Sequence, residues 1–152
     1  MYFEDILGLS VPGGTQREID VIIFRRPTNG NLEIWVNWIL VGHYPSSYFD
    51  NLDSSGNRAA FFGEIYDTLA PDATSTDMGS GYFPSAGYGY AAYGRNISWY
   101  SDYNLYYFGS TPTTSVTDDD CYDAYYGYNG GTGWQVNYWV YGGAGDEASG
   151  CD

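Results

Sequence analysis

The side chains in this sequence that could do chemistry are mainly carboxylates. Glu64 stands in the run Phe61-Phe62-Gly63-Glu64-Ile65-Tyr66-Asp67. Among aromatic and apolar neighbours an ionised group is costly unless it reacts, is paired, or faces water, and the run by itself leaves all three open. Glu33, in Asn31-Leu32-Glu33-Ile34-Trp35-Val36, has a similar setting and is the second candidate. Hydrolysis of a peptide or glycoside by carboxylates needs two of them. One takes the proton of the attacking water, the other protonates the leaving group, and their surroundings must hold the two pKa values apart.

Other chemistries are poorly supplied. His43 is the single histidine, so a histidine metal triad is excluded by count and a loop histidine packed on Tyr44 is expected. Asp118, Asp119, Asp120 and Asp123 cluster, but the regular spacing and downstream Glu of a calcium loop are missing, and a solvated loop is the expectation. Gly79 and Gly81 are followed by Pro84 where a dinucleotide motif would carry its third glycine. Neither a metal nor a cofactor is expected. Cys121 and Cys151 are the only cysteines. In an oxidising compartment they would close a loop of 151 − 121 = 30 positions, worth roughly 3 kcal/mol by chain entropy. Asn96-Ile97-Ser98 is an N-glycosylation sequon, meaningful in a eukaryotic secretory chain.

These groups must be positioned by strands. The 152 residues suit one domain, and 18 Tyr with 21 Gly and five Trp form an all-β composition. Strands are predicted at Glu18–Arg26, Leu32–Val41, Ala59–Thr68, twice between Ala70 and Tyr100, and at Asn104–Gly109, Tyr122–Tyr128 and Trp134–Tyr141. Leu32–Val41 is long for one strand, and Asn37-Trp38 marks a turn or bulge within it. One short helix or turn is predicted over Ser46–Ser55. Seven or eight such strands indicate an antiparallel β-sandwich. Five Lys and Arg against nineteen Asp and Glu give a formal charge of −14, which argues against nucleic acid and anionic membranes as partners. So few bases also suit an acidic medium, where carboxylates protonate without leaving a large positive charge. No stretch is long and apolar enough to span a membrane, and the first residues do not read as a signal peptide.

The run from Gly30 to Phe49 is similar to the neprosin family's Gly-Asn, Val-Asn and Val-Gly-aromatic-aromatic-Pro succession, and Phe61–Tyr66 resembles its Trp-Gly-Gly-Glu-Val. Thr74–Ile97 resembles the Thr-Ser-Thr-Gln-Met-Gly-Ser-Gly-His-Phe-Pro stretch, and Cys121–Cys151 resembles the closing Cys-Tyr and Tyr-Gly-Gly-Pro-Gly…Cys. Four motifs in order make the resemblance specific. It implies a secreted glutamic endopeptidase that cleaves peptide or protein substrates after proline at acid pH. The two sheets of its sandwich would hold a glutamate pair, with Glu64 as one member, and a Cys121–Cys151 disulfide would fasten the end of the chain. The family's first glutamate lies in an N-terminal segment that nothing here matches. Residues 1–152 are therefore expected to be the C-terminal part of the sandwich, inactive alone, and either self-associating or paired with that segment.

The family pattern is not followed throughout: Phe61-Phe62 replace Trp-Gly, Leu32-Glu33 replace an aromatic pair, and Asp77, His43 and Ala144 replace Gln, Tyr and Pro. The bulk added beside Gly63 is expected to crowd a catalytic cleft. A non-enzymatic reading, as an extracellular Tyr- and Gly-rich assembly or glycan-binding module, is the alternative.

Overall fold

The structure is a computed structural model and describes residues 8–49, 59–66, 76–101, 104–107, 112–128 and 137–145. Every β-ladder it contains is antiparallel, and the described helical structure is limited to single 3₁₀ turns at Ser46–Tyr48 and Pro84–Ala86. The protein is all-β. The chain separates into two units, one of residues 1–8 and 17–61, the other of residues 9–16 and 62–152.

Among the described residues the first unit holds a three-stranded sheet in the order β1 (Val21–Arg25), β2 (Leu32–Val36), β3 (Ile39–Tyr44). The run predicted as one long strand is a hairpin, because Asn37 and Trp38 both take positive φ, 48° and 66°. Paired left-handed residues match the twist of a two-residue hairpin, where Asn-Gly is usual. Trp38 has a Cβ, and the left-handed conformation costs it roughly 1–2 kcal/mol. Asn37 offsets part of this: its main-chain N–H donates to the Asp20 carbonyl at 2.9 Å, and its Oδ1 accepts the Asp20 N–H at 2.9 Å. A bulge between Ile34 and Trp35 shifts the β2–β3 register.

The second unit contains β4 (Ala92–Arg95), β8 (Asn137–Gly142) and β7 (Asp123–Tyr128) in that order, so β8 is central, and a separate hairpin of β5 (Ser98–Ser101) with β6 (Asn104–Tyr107). Its Tyr- and Gly-rich composition has a cross-strand cause. Gly94 lies opposite Trp139 and Gly127 opposite Tyr138, and a Cβ on either glycine would run into the facing ring. Each of these two rings covers a bare backbone on a neighbouring strand, which restores packing that a glycine in a sheet otherwise lacks. Trp139 and Tyr141, two apart and so on one face, stack with centroids 4.2 Å apart and planes 9° from parallel. Cys121 and Tyr122 form a small buried cluster with Ile65, Met78 and Val116 against it.

Asn137 is fully buried at the start of β8. Its Oδ1 accepts the Ile97 N–H at 2.6 Å and its Nδ2 donates to the Ile97 carbonyl at 2.7 Å, so one amide side chain does the work of a strand partner where β4 turns into β5. Asn96, at that turn, has φ 55° and is exposed.

Two local expectations are corrected. Residues 59–66 join no ladder, although their composition reads as a strand. The predicted helix reduces to the turn at Ser46–Tyr48, and its continuation through Ser55 lies outside the described residues.

Candidate functional site

The two glutamates that look alike in sequence differ in structure. Glu33 lies on β2 opposite Phe24 of β1 and His43 of β3, and is only 8% exposed. Its burial is tolerated because its lone pairs are taken. Arg26 Nε donates to Oε1 at 2.9 Å and Arg26 Nη2 to Oε2 at 2.5 Å, a two-pronged ion pair, and the Trp35 indole N–H donates to Oε2 at 3.0 Å. The hydrogen bonds from Arg26 hold the Glu33 carboxyl below the usual carboxylate range. Burial opposes this, while Trp35 and the charges of Arg26 and His43 add to it. A carboxylate fixed in its ionised form with its oxygens engaged is a poor proton donor. Glu33 is the paired structural charge, and the guanidinium of Arg26 also lies 5.5 Å from the Phe24 ring centroid. Beside it, Ile22, Phe24, Arg26, Trp35 and Trp38 line an apolar depression of about 300 Å³.

Glu64 is exposed on the irregular segment 59–66. Two contacts hold this segment, Ile65 against the Cys121–Tyr122 cluster and Gly63, where a Cβ would lie 2.7 Å from Met78 Sδ and 2.9 and 3.0 Å from Tyr141 Cδ2 and Cε2. The bare backbone therefore sits against the ring and the thioether, and the next residue, Glu64, is held beside them. Met78 is itself anchored, its N–H donating to the Gly143 carbonyl at 2.9 Å. The contact brings alongside each other the segments that carry Glu64 and Asp77, both exposed carboxylates. Asp77 curls over Gly81, where a Cβ would lie 2.8 Å from its Oδ2. Phe62, the bulky replacement beside Gly63, points to solvent at 70% exposure. It therefore adds apolar surface to the segment without displacing Gly63.

The remaining candidates fall into structural roles or outside the described residues. Among the described residues no group of three or more His, Cys, Asp or Glu is arranged to hold a metal ion. Asp118 works in the turn that leads to Cys121: its Oδ1 accepts the Cys121 N–H at 3.3 Å and its carbonyl accepts the Tyr122 N–H at 3.0 Å. Cys121 is buried and is not a free thiol, and Cys151 lies outside the described residues. The expectation of a loop histidine packed on Tyr44 is corrected: His43 lies within β3, where it and Tyr44 point to opposite faces, and is exposed across the strands from Glu33. The sequence reading missed Arg26 and Asn137. A basic residue in a chain with five Lys and Arg was a signal for the first, whereas nothing local marks the second.

The antiparallel sheets define an all-β chain. The Neprosin family model matches residues 3–144, and the chain belongs to the neprosin family.

Proposed function

We propose that this chain is part of a secreted glutamic endopeptidase that cleaves proline-containing peptides at acid pH, with Glu64 as one of its two catalytic carboxylates. The observation that carries the reading is the contrast between the glutamates. Glu64 falls on the Gly-Glu of the family motif and is open to solvent, whereas Glu33 is consumed by Arg26 and Trp35. In the reaction one carboxylate accepts a proton from the water that attacks the scissile carbonyl, and the other protonates the departing amine. Each such group contributes roughly 100- to 10,000-fold. The partner carboxylate comes from a preceding family-like segment, so the 152-residue chain is inactive by itself. A Cys121–Cys151 disulfide ties down the end of the chain, consistent with a buried Cys121 that is not a free thiol, and the exposed Asn96 is available for glycosylation.

The test is a chain extended at its N-terminus by a family-like segment and assayed on proline-containing peptides across acid pH. Glu64→Gln keeps size and hydrogen bonding but removes the ionisable group, and activity is expected to fall to background. Acid-dependent cleavage that survives in this variant rejects the role of Glu64. Activity in the 152-residue chain that is lost in Asp77→Asn would move the second carboxylate to Asp77.

A non-enzymatic extracellular assembly or glycan-binding module is the second reading, favoured by the exposed aromatic rings of Tyr82, Tyr88, Tyr90, Tyr125 and Tyr128. Binding of soluble glycans by an extended chain without peptidase activity would select it.

A further inference from the structure

Among the described residues tyrosine rings meet in pairs at three places in the second unit. Tyr82 and Tyr90 have centroids 5.6 Å apart, Tyr125 and Tyr138 6.1 Å, and Tyr88 and Tyr93 4.9 Å. Two of these pairs have a phenol edge covered by backbone. A Cβ on Gly13 would lie 2.6 Å from the Tyr90 hydroxyl and 3.1 Å from its Cε1, and one on Gly127 would lie 2.5 and 2.6 Å from the same atoms of Tyr138. The third pair differs. The rings of Tyr88 and Tyr93 are tilted by 55° and converge toward their hydroxyl ends, whose oxygens are 3.5 Å apart. Tyr88 is 50% exposed and Tyr93 is half-buried. The backbone holds both. Tyr93 lies in β4 opposite Val140 of the central strand. Tyr88 lies between Gly87 and Gly89, whose φ values are 82° and 87°. In that turn the N–H groups of Tyr90 and Ala91 both donate to the Gly87 carbonyl at 3.2 Å, and the Gly89 carbonyl accepts the Gly13 N–H at 2.8 Å.

We propose that Tyr88 and Tyr93 are a site of oxidative modification, a dityrosine cross-link within the chain made by a one-electron oxidant of the peroxidase class acting with hydrogen peroxide. Each phenol gives up one electron and one proton and becomes a phenoxyl radical, whose unpaired electron is shared with the ring carbons ortho to the oxygen. The two radicals form a carbon–carbon bond between ortho carbons, and the hydrogen on each of these carbons moves to the oxygen, which restores both phenols. Two hydrogens leave the chain, and one hydrogen peroxide becomes two waters. The fold supplies the proximity, because coupling two rings already in contact is a unimolecular step, favoured over encounters between chains. Tyr90 and Tyr138 are worse placed, since an ortho carbon of each lies against a glycine backbone. Ring geometry alone carries this assignment, whether or not the chain is a peptidase. The link would fasten the turn that follows Gly87 to β4.

Dilute protein treated with a peroxidase and limiting hydrogen peroxide is expected to gain dityrosine fluorescence without forming covalent dimers on denaturing gels, and to lose two hydrogens by mass spectrometry. Trypsin cuts after arginine, so residues 59–95 are released as one peptide. That peptide should carry the loss and give no backbone fragments between Tyr88 and Tyr93. Tyr88→Phe and Tyr93→Phe keep the rings and remove the hydroxyls, and each should cut the yield by about tenfold or more. Tyr82→Phe and Tyr125→Phe should leave it unchanged. In urea, where the turn and β4 come apart, the preference for this pair should vanish, and near-UV circular dichroism verifies folding of each variant in buffer. Absence of dityrosine in the folded chain, cross-links mainly between chains, a loss of hydrogens outside residues 59–95, a yield indifferent to Tyr88→Phe and Tyr93→Phe, or the same preference in urea would each overturn the proposal.

Discussion

Gly63→Ala is the most direct probe of how the Glu64 segment is held. The added methyl would meet Met78 Sδ at 2.7 Å and the Tyr141 ring at 2.9 to 3.0 Å, closer than normal carbon contacts by most of an ångström. Met78 has a flexible side chain and can yield. Tyr141 is less free, because its other neighbour is the Trp139 indole stacked on it. Inserting a methyl into such a contact costs about 1–3 kcal/mol. The loss of glycine's freedom in the unfolded chain returns about 0.4–1 kcal/mol, and Gly63 is not among the glycines with positive φ, so no backbone strain is added. The net expectation is a destabilisation of about 1–2 kcal/mol, read as a lowered urea midpoint with unchanged slope. Repeating the substitution in a Tyr141→Ala background isolates the contact, and there the cost should disappear. A neutral Gly63→Ala, or an equal cost in both backgrounds, would refute the packing argument.

Two further outcomes follow from the buried polar groups. Asn137→Ala strands the N–H and C=O of Ile97 and should cost about 2–6 kcal/mol, at about 1–3 for each of the two groups. Asn137→Asp keeps the acceptor but sets an oxygen against the Ile97 carbonyl, and should be no better than Ala in thermal or urea unfolding. For Glu33, whose folded pKa is lowered, the linked stability is fully present above the unfolded pKa near 4.5 and is lost as pH falls through the lower folded value. The acid limb of the unfolding midpoint against pH should therefore be shallower in Glu33→Gln than in the parent. Parallel acid limbs would show that the Arg26 pairing does not set it.

Much of the architecture was legible because strands leave a local signature. The β-branched run Glu18–Arg26 contains β1, Tyr122–Tyr128 contains β7, and Asn37-Trp38 did mark the break between β2 and β3. Residues 59–66 misled for a definable reason. Their aromatic and β-branched content fits a pleated surface, but the segment is secured by Gly63 against a ring and a thioether and by Ile65 against the Cys121–Tyr122 cluster, not by a ladder. The family was legible from the order of four motifs, each of which depends only on residues adjacent in the chain.

What the sequence determined by itself is the all-β character, the acidity and the kinship, since composition, charge and motif order are properties of the chain before it folds. Tertiary structure decided which glutamate is locked, because Glu33 meets Arg26 only once β1 and β2 are paired and Trp35 lies on the same face. It also decided that Gly94 and Gly127 are roofed by Trp139 and Tyr138, and that Asn137 holds the Ile97 backbone from 40 positions away. Register is a choice between distant segments, and a shift by one residue would turn every one of these side chains to the opposite face.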